Sequence, residues 1–256
     1  MIMAKKQCQI AKEKPMSVIT EKTVRELVVE NPNATRVFEK LGIDYCCGGN
    51  KSLEEACRVA DLPVDEVLHS LELAGREKSA TSEEHDWRTA SLAGLIAHIT
   101  NTHHKYTREE MARLTPLFDK VCSVHGKNHP ELLRLRTGFH SMGQEMTMHM
   151  MKEEKVLFPY IVKMEQAATQ RSPLPPPPFG NLQHPVAMME REHDFAGNAL
   201  CNMRETSSNY TSPPDACITY QTLYRTLGEF EADMHQHISL ENNILFPRAI
   251  AIEAGK

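Results

Sequence analysis

Apolar residues recur in alternating steps of three and four along four long stretches of this chain. The first runs from about Arg88 to Val121, with Leu92, Leu95, Ile96 and Ile99 on one face and Pro116 as the place for a kink. The second runs from about Pro130 to Glu165, and its seam is Leu135, Phe139, Met142, Met146, His149, Glu153, Val156 and Tyr160. The third follows a proline-rich connector, Pro173 to Phe179, and carries Val186, Met189, His193, Ala196 and Leu200. The fourth begins near Pro214, with Leu223, Leu227, Phe230, Met234, His237, Glu241 and Leu245 on its seam. Helices striped in this way bury their apolar faces against one another, so the pattern predicts an antiparallel four-helix bundle. The connector reads as stiff polyproline rather than disordered coil.

A smaller unit precedes the bundle, from about Val18 to Leu73. Asn33 is a candidate cap for a short helix through Phe38 that ends at Gly42. Ser52-Leu-Glu-Glu55 reads as a capping box opening a second helix, and Pro63 suits the first turn of a third. Between them lies Asp44-Tyr-Cys46-Cys47-Gly48-Gly49, a turn with two adjacent thiols. Gly75 to Asp86 is polar and charged and reads as a linker. The chain is thus expected to be all-α: a small helical domain over 18–74, a linker over 75–87 and a four-helix bundle over 88–253.

Two of the seams share a phrase. His149-Met-Met-Lys-Glu153-Glu-Lys-Val-Leu-Phe-Pro159 and His237-Ile-Ser-Leu-Glu241-Asn-Asn-Ile-Leu-Phe-Pro247 keep His, Glu, Leu, Phe and Pro at the same spacing. Residues four apart on a helix lie on one face, so each phrase aims an imidazole and a carboxylate the same way. His149, Glu153, His193, His237 and Glu241 all stand where core apolar residues should be. Buried ionisable groups are costly unless paired or bound, and five of them on three helices call for a shared cation. A lone His/Glu pair is as often a solvated surface pair; the repeated phrase with His193 in register is not. Imidazole with carboxylate suits iron, manganese or zinc, and the lack of thiolate in the seam argues against structural zinc. The Leu-Phe-Pro tail reads as packing followed by a kink or helix end.

The first helix should add a fourth imidazole. At about 100° per residue His98 falls off the apolar face, His103 lies near its centre and His104 near its edge. The wheel favours His103, although a bundle helix can present an edge position to a central metal. Four imidazoles and two carboxylates fit a di-iron centre with two imidazoles per iron, Glu153 and Glu241 as bridges, and open positions for O2, NO or an oxo group. His125, His129, His140, His184 and His235 read as surface or supporting histidines. Cys57, Cys122, Cys201 and Cys217 read as helix-packing residues.

Composition narrows the function classes. The net charge is −5 with Lys and Arg scattered, which argues against nucleic acid as partner. No apolar run approaches the ~18 residues of a membrane span. Met1 to Lys14 is polar and basic, which argues against a secretory signal. Seven cysteines, an odd number without an export signal, read as thiols in a reducing cytoplasm.

These motifs resemble those of the repair-of-iron-centres family, hemerythrin-like di-iron proteins of the bacterial stress response. The likeness rests on the Asp44–Gly49 turn, Thr-His-His104, Val124-His125-Gly126, the two His-xxx-Glu phrases and Glu192-His193-Asp194. The resemblance implies a hemerythrin-like bundle holding two non-haem iron ions, oxo-bridged when oxidised, on His104, His149, Glu153, His193, His237 and Glu241. The family usually has an aromatic residue before its first-helix histidine; here His103 takes that place. Hemerythrin itself uses a more histidine-rich set, which argues against simple O2 carriage.

The implied role is repair of iron–sulfur clusters damaged by nitric oxide or peroxide, with iron given up from a labile di-iron site. Cys46 and Cys47 match the family's cysteine pair and would accept iron or act as redox thiols. Adjacent cysteines form a disulfide only with strain, so free thiols or an intermolecular bridge are expected. Damaged iron–sulfur proteins, NO or O2 as small ligands, and a homodimer or monomer–dimer equilibrium are the implied partners. Two other functions need the same six ligands: reduction of NO to nitrous oxide, and reversible NO or O2 sensing with a conformational change across Gly75–Asp86.

Overall fold

In the computed structural model, which describes residues 19–76 and 86–255, four short helices precede four long helical rods. Helix α1 spans Val24–Glu30, α2 Ala34–Leu41, α3 Leu53–Val59 and α4 Val64–Arg76. The capping chemistry is distributed differently from the sequence expectation. The reciprocal box sits at α1, where Thr23 Oγ1 accepts from Glu26 N–H and the Glu26 carboxylate accepts from Thr23 N–H. Ser52 Oγ accepts from Glu55 N–H at 3.2 Å. Asn33 holds the position before α2 without capping it; its amide instead donates to Ala74 O at 3.4 Å, tying α2 to α4. Gly42 ends α2 at φ +68°, the left-handed conformation that glycine adopts without steric cost.

Helix α4 runs through Gly75 into the segment that charge alone marked as linker; residues 77–85 of that segment lie outside the described residues.

The first rod is α5 (Leu92–His98), a π-helical turn (Ile99–His104) and α6 (Lys105–His125). It continues past Pro116 beyond the expected end at Val121. The second is α7 (Glu131–Lys152), a π turn (Glu153–Leu157) and α8 (Phe158–Thr169). The third, α9 (Gln183–Thr206), is unbroken. The fourth is α10 (Ile218–Leu240), a π turn (Glu241–Leu245) and α11 (Phe246–Glu253). In each π turn a backbone N–H reaches five residues back: Lys105 to Thr100 O, Phe158 to Glu153 O, Phe246 to Glu241 O. This widening inserts one residue into the helical register. Pro159 and Pro247 fall in the first turn after two of them, where a proline ring would otherwise press on the carbonyl four residues back.

The insertion explains the one seam residue that is misplaced. Val156 is 49% exposed, whereas Leu157 is 2% exposed. Beyond Glu153 the inward face shifts, and Leu157, Phe158 and Ile161 join Tyr160 in the core. The other seam positions are buried as expected. Among the described residues no helix is long and apolar enough to cross a membrane.

Two apolar layers result. One joins α1–α4 to the lower bundle through Phe38, Tyr45, Phe118, Phe139 and Phe230. The other packs Leu92, Ile99, Leu157, Phe158, Leu245 and Phe246, so both Leu-Phe pairs of the repeated phrase are core residues.

The Asp44–Gly49 turn docks on the fourth rod. Asn243 Nδ2 donates to Tyr45 O at 2.9 Å, Asn242 Nδ2 to Cys46 O at 3.1 Å, and Arg25 Nε to Asn243 Oδ1 at 2.9 Å. A Cβ on Gly49 would stand 2.7 Å from Asn243 Oδ1. Gly49→Ala is therefore expected to push the turn off the bundle and destabilise the protein by about 1–3 kcal/mol, the cost of a forced overlap. Urea unfolding checks this, and a midpoint equal to that of the parent would refute the tight docking.

Candidate metal centre

Between the two apolar layers lies a polar one. His104, His149, Glu153, His193, His237 and Glu241 converge there, all buried. They form two overlapping groups, His104–Glu153–His237–Glu241 and His149–Glu153–His193–Glu241, whose ligand atoms lie within 4.8 Å of one another in each. Glu153 and Glu241 belong to both. Glu241 turns Oε1 to His237 Nε2 (3.1 Å) and His104 Nε2 (3.7 Å), and Oε2 to His193 Nε2 (3.1 Å). Glu153 Oε2 lies 3.4 Å from His104 Nε2 and 3.3 Å from His149 Nε2.

The π turns set this convergence. Glu153 and Glu241 each open one, and His104 closes the third. A fixed step of about 100° per residue cannot describe a helix through such a turn. The structure thus turns His104 into the cluster, while His103 Nδ1 pairs with Asp233 Oδ1 at 2.9 Å and its ring stacks on His237. His103→Gln is accordingly expected to keep the metal content of the parent and His104→Gln to lower it. Elemental analysis of both variants decides, and the reverse ranking would overturn the assignment.

Hydrogen bonds outside the cluster orient the imidazoles. His193 Nδ1 lies 2.8 Å from Asn242 Oδ1, an oxygen that can only accept, so Nδ1 carries the proton and the Nε2 lone pair faces inward. His104 Nδ1 donates to Glu154 Oε1 and His149 Nδ1 to Glu192 Oε2, both at 2.8 Å. Glu154 is in turn held by Arg108, and Glu192 by Lys152. His149 and Lys152 hold the Glu192 carboxyl down to about 2.

Two pairs of Nε2 atoms, His104 with His237 and His149 with His193, stand only 3.0 Å apart. With Nδ1 of both His149 and His193 donating outward, neutral rings in that pair oppose their Nε2 lone pairs, so a cation or a proton belongs between or beside them. Both oxygens of Glu153, Oε2 of Glu241 and Nδ1 of His237 are buried without a hydrogen-bond partner. Buried orphan carboxylate oxygens facing convergent imidazole nitrogens fit a bound cation, and the mixed nitrogen–oxygen donor set suits iron.

Without metal, protons fill that role. Burial opposes charge on His104 and His149, yet Glu153 and Glu241 beside them push both up to about 10. Burial raises both carboxyls, but the neighbouring imidazoles outweigh it, leaving Glu153 lowered and Glu241 well below its usual range. Burial keeps His237 below its ordinary value.

Sequence reasoning gave no role to Glu154, Glu192, Asp233, Asn242 or Asn243. The available signal was adjacency: Glu154, Glu192 and Asn242 each flank a cluster residue in the chain, and each bonds an imidazole on a different rod, His104, His149 and His193 respectively. Of the cysteines, Cys57 and Cys122 are buried as expected, but Cys201 and Cys217 are exposed and not packing residues. Cys217 lies at the start of α10, where the Tyr220 backbone N–H and then His125 hold its thiol down to about 7. Cys46 is buried and Cys47 half-buried, both as free thiols.

Two family models match the chain in series: the ScdA_N domain, a domain of unknown function, at residues 20–74, and the hemerythrin HHE cation binding domain at residues 95–249. The iron–sulfur cluster repair protein YtfE of Citrobacter koseri is 38% identical over 228 residues, 89% of this chain and 96% of that protein. Its counterparts in Escherichia coli and Escherichia fergusonii are 38% identical over 229 residues, with the same coverage. Likeness that spans both helical units of both proteins, in the same order, places this chain in the repair-of-iron-centres family, to which the YtfE iron–sulfur cluster repair proteins belong.

Proposed function

We propose that this protein repairs damaged iron–sulfur clusters by giving up iron held as a di-iron centre on His104, His149, Glu153, His193, His237 and Glu241. The observation that carries the reading is Glu153: a fully buried carboxylate with neither oxygen hydrogen-bonded, facing imidazoles of both halves of the cluster. Two ferrous ions would bring four positive charges to a layer whose shared carboxylates supply two negative ones. Glu154 and Glu192 are already paired with Arg108 and Lys152. The surplus charge in a buried layer favours release, and carboxylate is a harder, less retentive partner for iron than the thiolates of a cluster protein.

Six protein donors shared between two ions leave room for a small ligand such as NO or O2, which supports repair coupled to nitrosative or oxidative damage. A need for ferrous iron and reduced target thiols supports a reducing cytoplasm as the site of the work. Cys46 and Cys47 receive outgoing iron in this reading, because the Cys46 backbone is bonded to Asn242, which supports His193.

The test is anaerobic transfer. Protein loaded with isotopically marked ferrous iron is mixed with an NO-damaged cluster protein, and label and activity are followed in the target. Label entering the target in step with reactivation is expected. Reactivation while the label stays with the donor would refute iron donation.

A further inference from the structure

We infer that Asp44, Cys46 and Cys47 form a second cation site, distinct from the bundle cluster, that takes one thiophilic divalent ion. One carboxylate oxygen and the two sulfurs lie within 4.8 Å of one another. The sulfurs are 3.8 Å apart, and Cys46 Sγ is 3.4 Å from Asp44 Oδ1. Two thiolates each about 2.3 Å from one tetrahedral ion stand about 3.8 Å apart, and an oxygen at about 2.0 Å stands about 3.5 Å from each sulfur. The sulfur–sulfur and Cys46 sulfur–oxygen separations therefore already match those of one coordination sphere, and the third separation is within 4.8 Å.

The backbone around them is shaped to keep that spacing. Asp44 Oδ1 accepts from the N–H groups of Cys46 (3.1 Å) and Cys47 (2.9 Å), which folds the carboxylate over the thiols. A Cβ on Gly48 would lie 2.9 Å from Asp44 O and 3.0 Å from Asp44 Oδ2, so only glycine leaves the carboxylate in place. On the bundle side Gly197 lies in the interior of α9, where glycine costs about 1 kcal/mol relative to alanine. A Cβ there would lie 3.3 Å from Cys47 Sγ, so the cost clears space for the thiol. The triad opens on a cavity of about 350 Å³ that Asp194 and His235 also line, which leaves a fourth position for water or an incoming ligand. The hydrogen bond to Cys47, followed by burial, raises the Cys46 thiol well above its ordinary value.

Binding is a ligand exchange without electron transfer: one divalent ion displaces the two thiol protons to solvent and gains two metal–sulfur bonds and one metal–oxygen bond. The inference rests on the repair reading only for the identity of the natural ion, ferrous iron on its way out of the bundle. The site itself is tested with cobalt alone.

The full-length metal-free protein, reduced and anaerobic, is titrated with Co2+ while the near-ultraviolet thiolate-to-cobalt absorption is recorded. One cobalt per chain giving this band is expected. Cys46→Ser and Cys47→Ser should abolish it, Asp44→Asn should weaken cobalt binding at this site by about tenfold or more, and Glu241→Gln should leave it intact. No thiolate band in the parent, or a band that survives both serine variants, would overturn the site. An Asp44→Asn variant that binds as the parent does would overturn the three-residue assignment. A band that behaves as expected in a protein that passes no iron to a damaged target would uphold the site and refute the repair reading, so the two fail separately.

Discussion

Replacing Glu241 with Gln is expected to cut bound iron from about two per chain, the load of a two-metal bundle site, to less than one. The substitution keeps volume and one acceptor oxygen, so it removes a charge without opening a cavity. That charge faces three imidazoles: Oε1 lies 3.1 Å from His237 and 3.7 Å from His104, and Oε2 lies 3.1 Å from His193. Loss of an outer residue that only orients a ligand costs a metal site about 10–100-fold in affinity. A shared anionic ligand should cost more, and cluster-repair activity should fall with the iron. Asn242→Ala, which removes the partner of His193 Nδ1 and the bond to Cys46 O but no cluster ligand, is the internal scale and should have the smaller effect. Iron content measured after anaerobic loading and desalting decides. A Glu241→Gln chain that keeps about two irons would refute the shared role of this carboxylate.

Metal-free protein is expected to lose stability as pH rises from about 6.5 to about 10, by an amount on the order of several kcal/mol. The sign follows from His104 and His149, both pushed up to about 10 in the folded chain. Unfolded histidine titrates near 6.5. Groups raised on folding contribute fully below the unfolded value, and the contribution disappears as pH climbs through the folded one. On the acid side the lowered Glu153 and Glu241 lose their contribution below about 4.3, the unfolded carboxyl value. His237, lowered by burial, also costs stability below about 6.5. The metal-free optimum therefore lies near pH 6.5.

Iron replaces the two imidazolium protons, so loading should release about two protons per chain near neutral pH and remove most of the alkaline loss. Urea midpoints against pH, with and without chelator, test this. A metal-free midpoint flat between pH 6.5 and 10 would show that the imidazoles are not held charged by the carboxylates.

The four rods and five of the six cluster residues were legible in the amino-acid sequence, because helical periodicity is a local property. A His or Glu that interrupts an apolar seam is visible wherever the step of three and four is regular. That regularity holds along α7, α9 and α10, and His149, Glu153, His193, His237 and Glu241 are buried as their spacing requires. The repeated phrase and the paired thiols of the Asp44–Gly49 turn were legible for the same reason. They need only near neighbours in the chain.

What tertiary structure decided lies downstream of the π turns and across the contact between the small unit and the bundle. A backbone N–H that reaches five residues back adds one residue to the turn and rotates everything after it. This is why His104 rather than His103 enters the cluster, and why Leu157 rather than Val156 is buried. Packing between the rods also decided the cysteines, leaving Cys201 and Cys217 exposed. The bonds from Asn242 to His193 and to the Cys46 carbonyl join residues 49 and 196 positions apart in the chain. Periodicity reports which face of a helix is buried; which chain segment meets that face is settled only when the bundle closes.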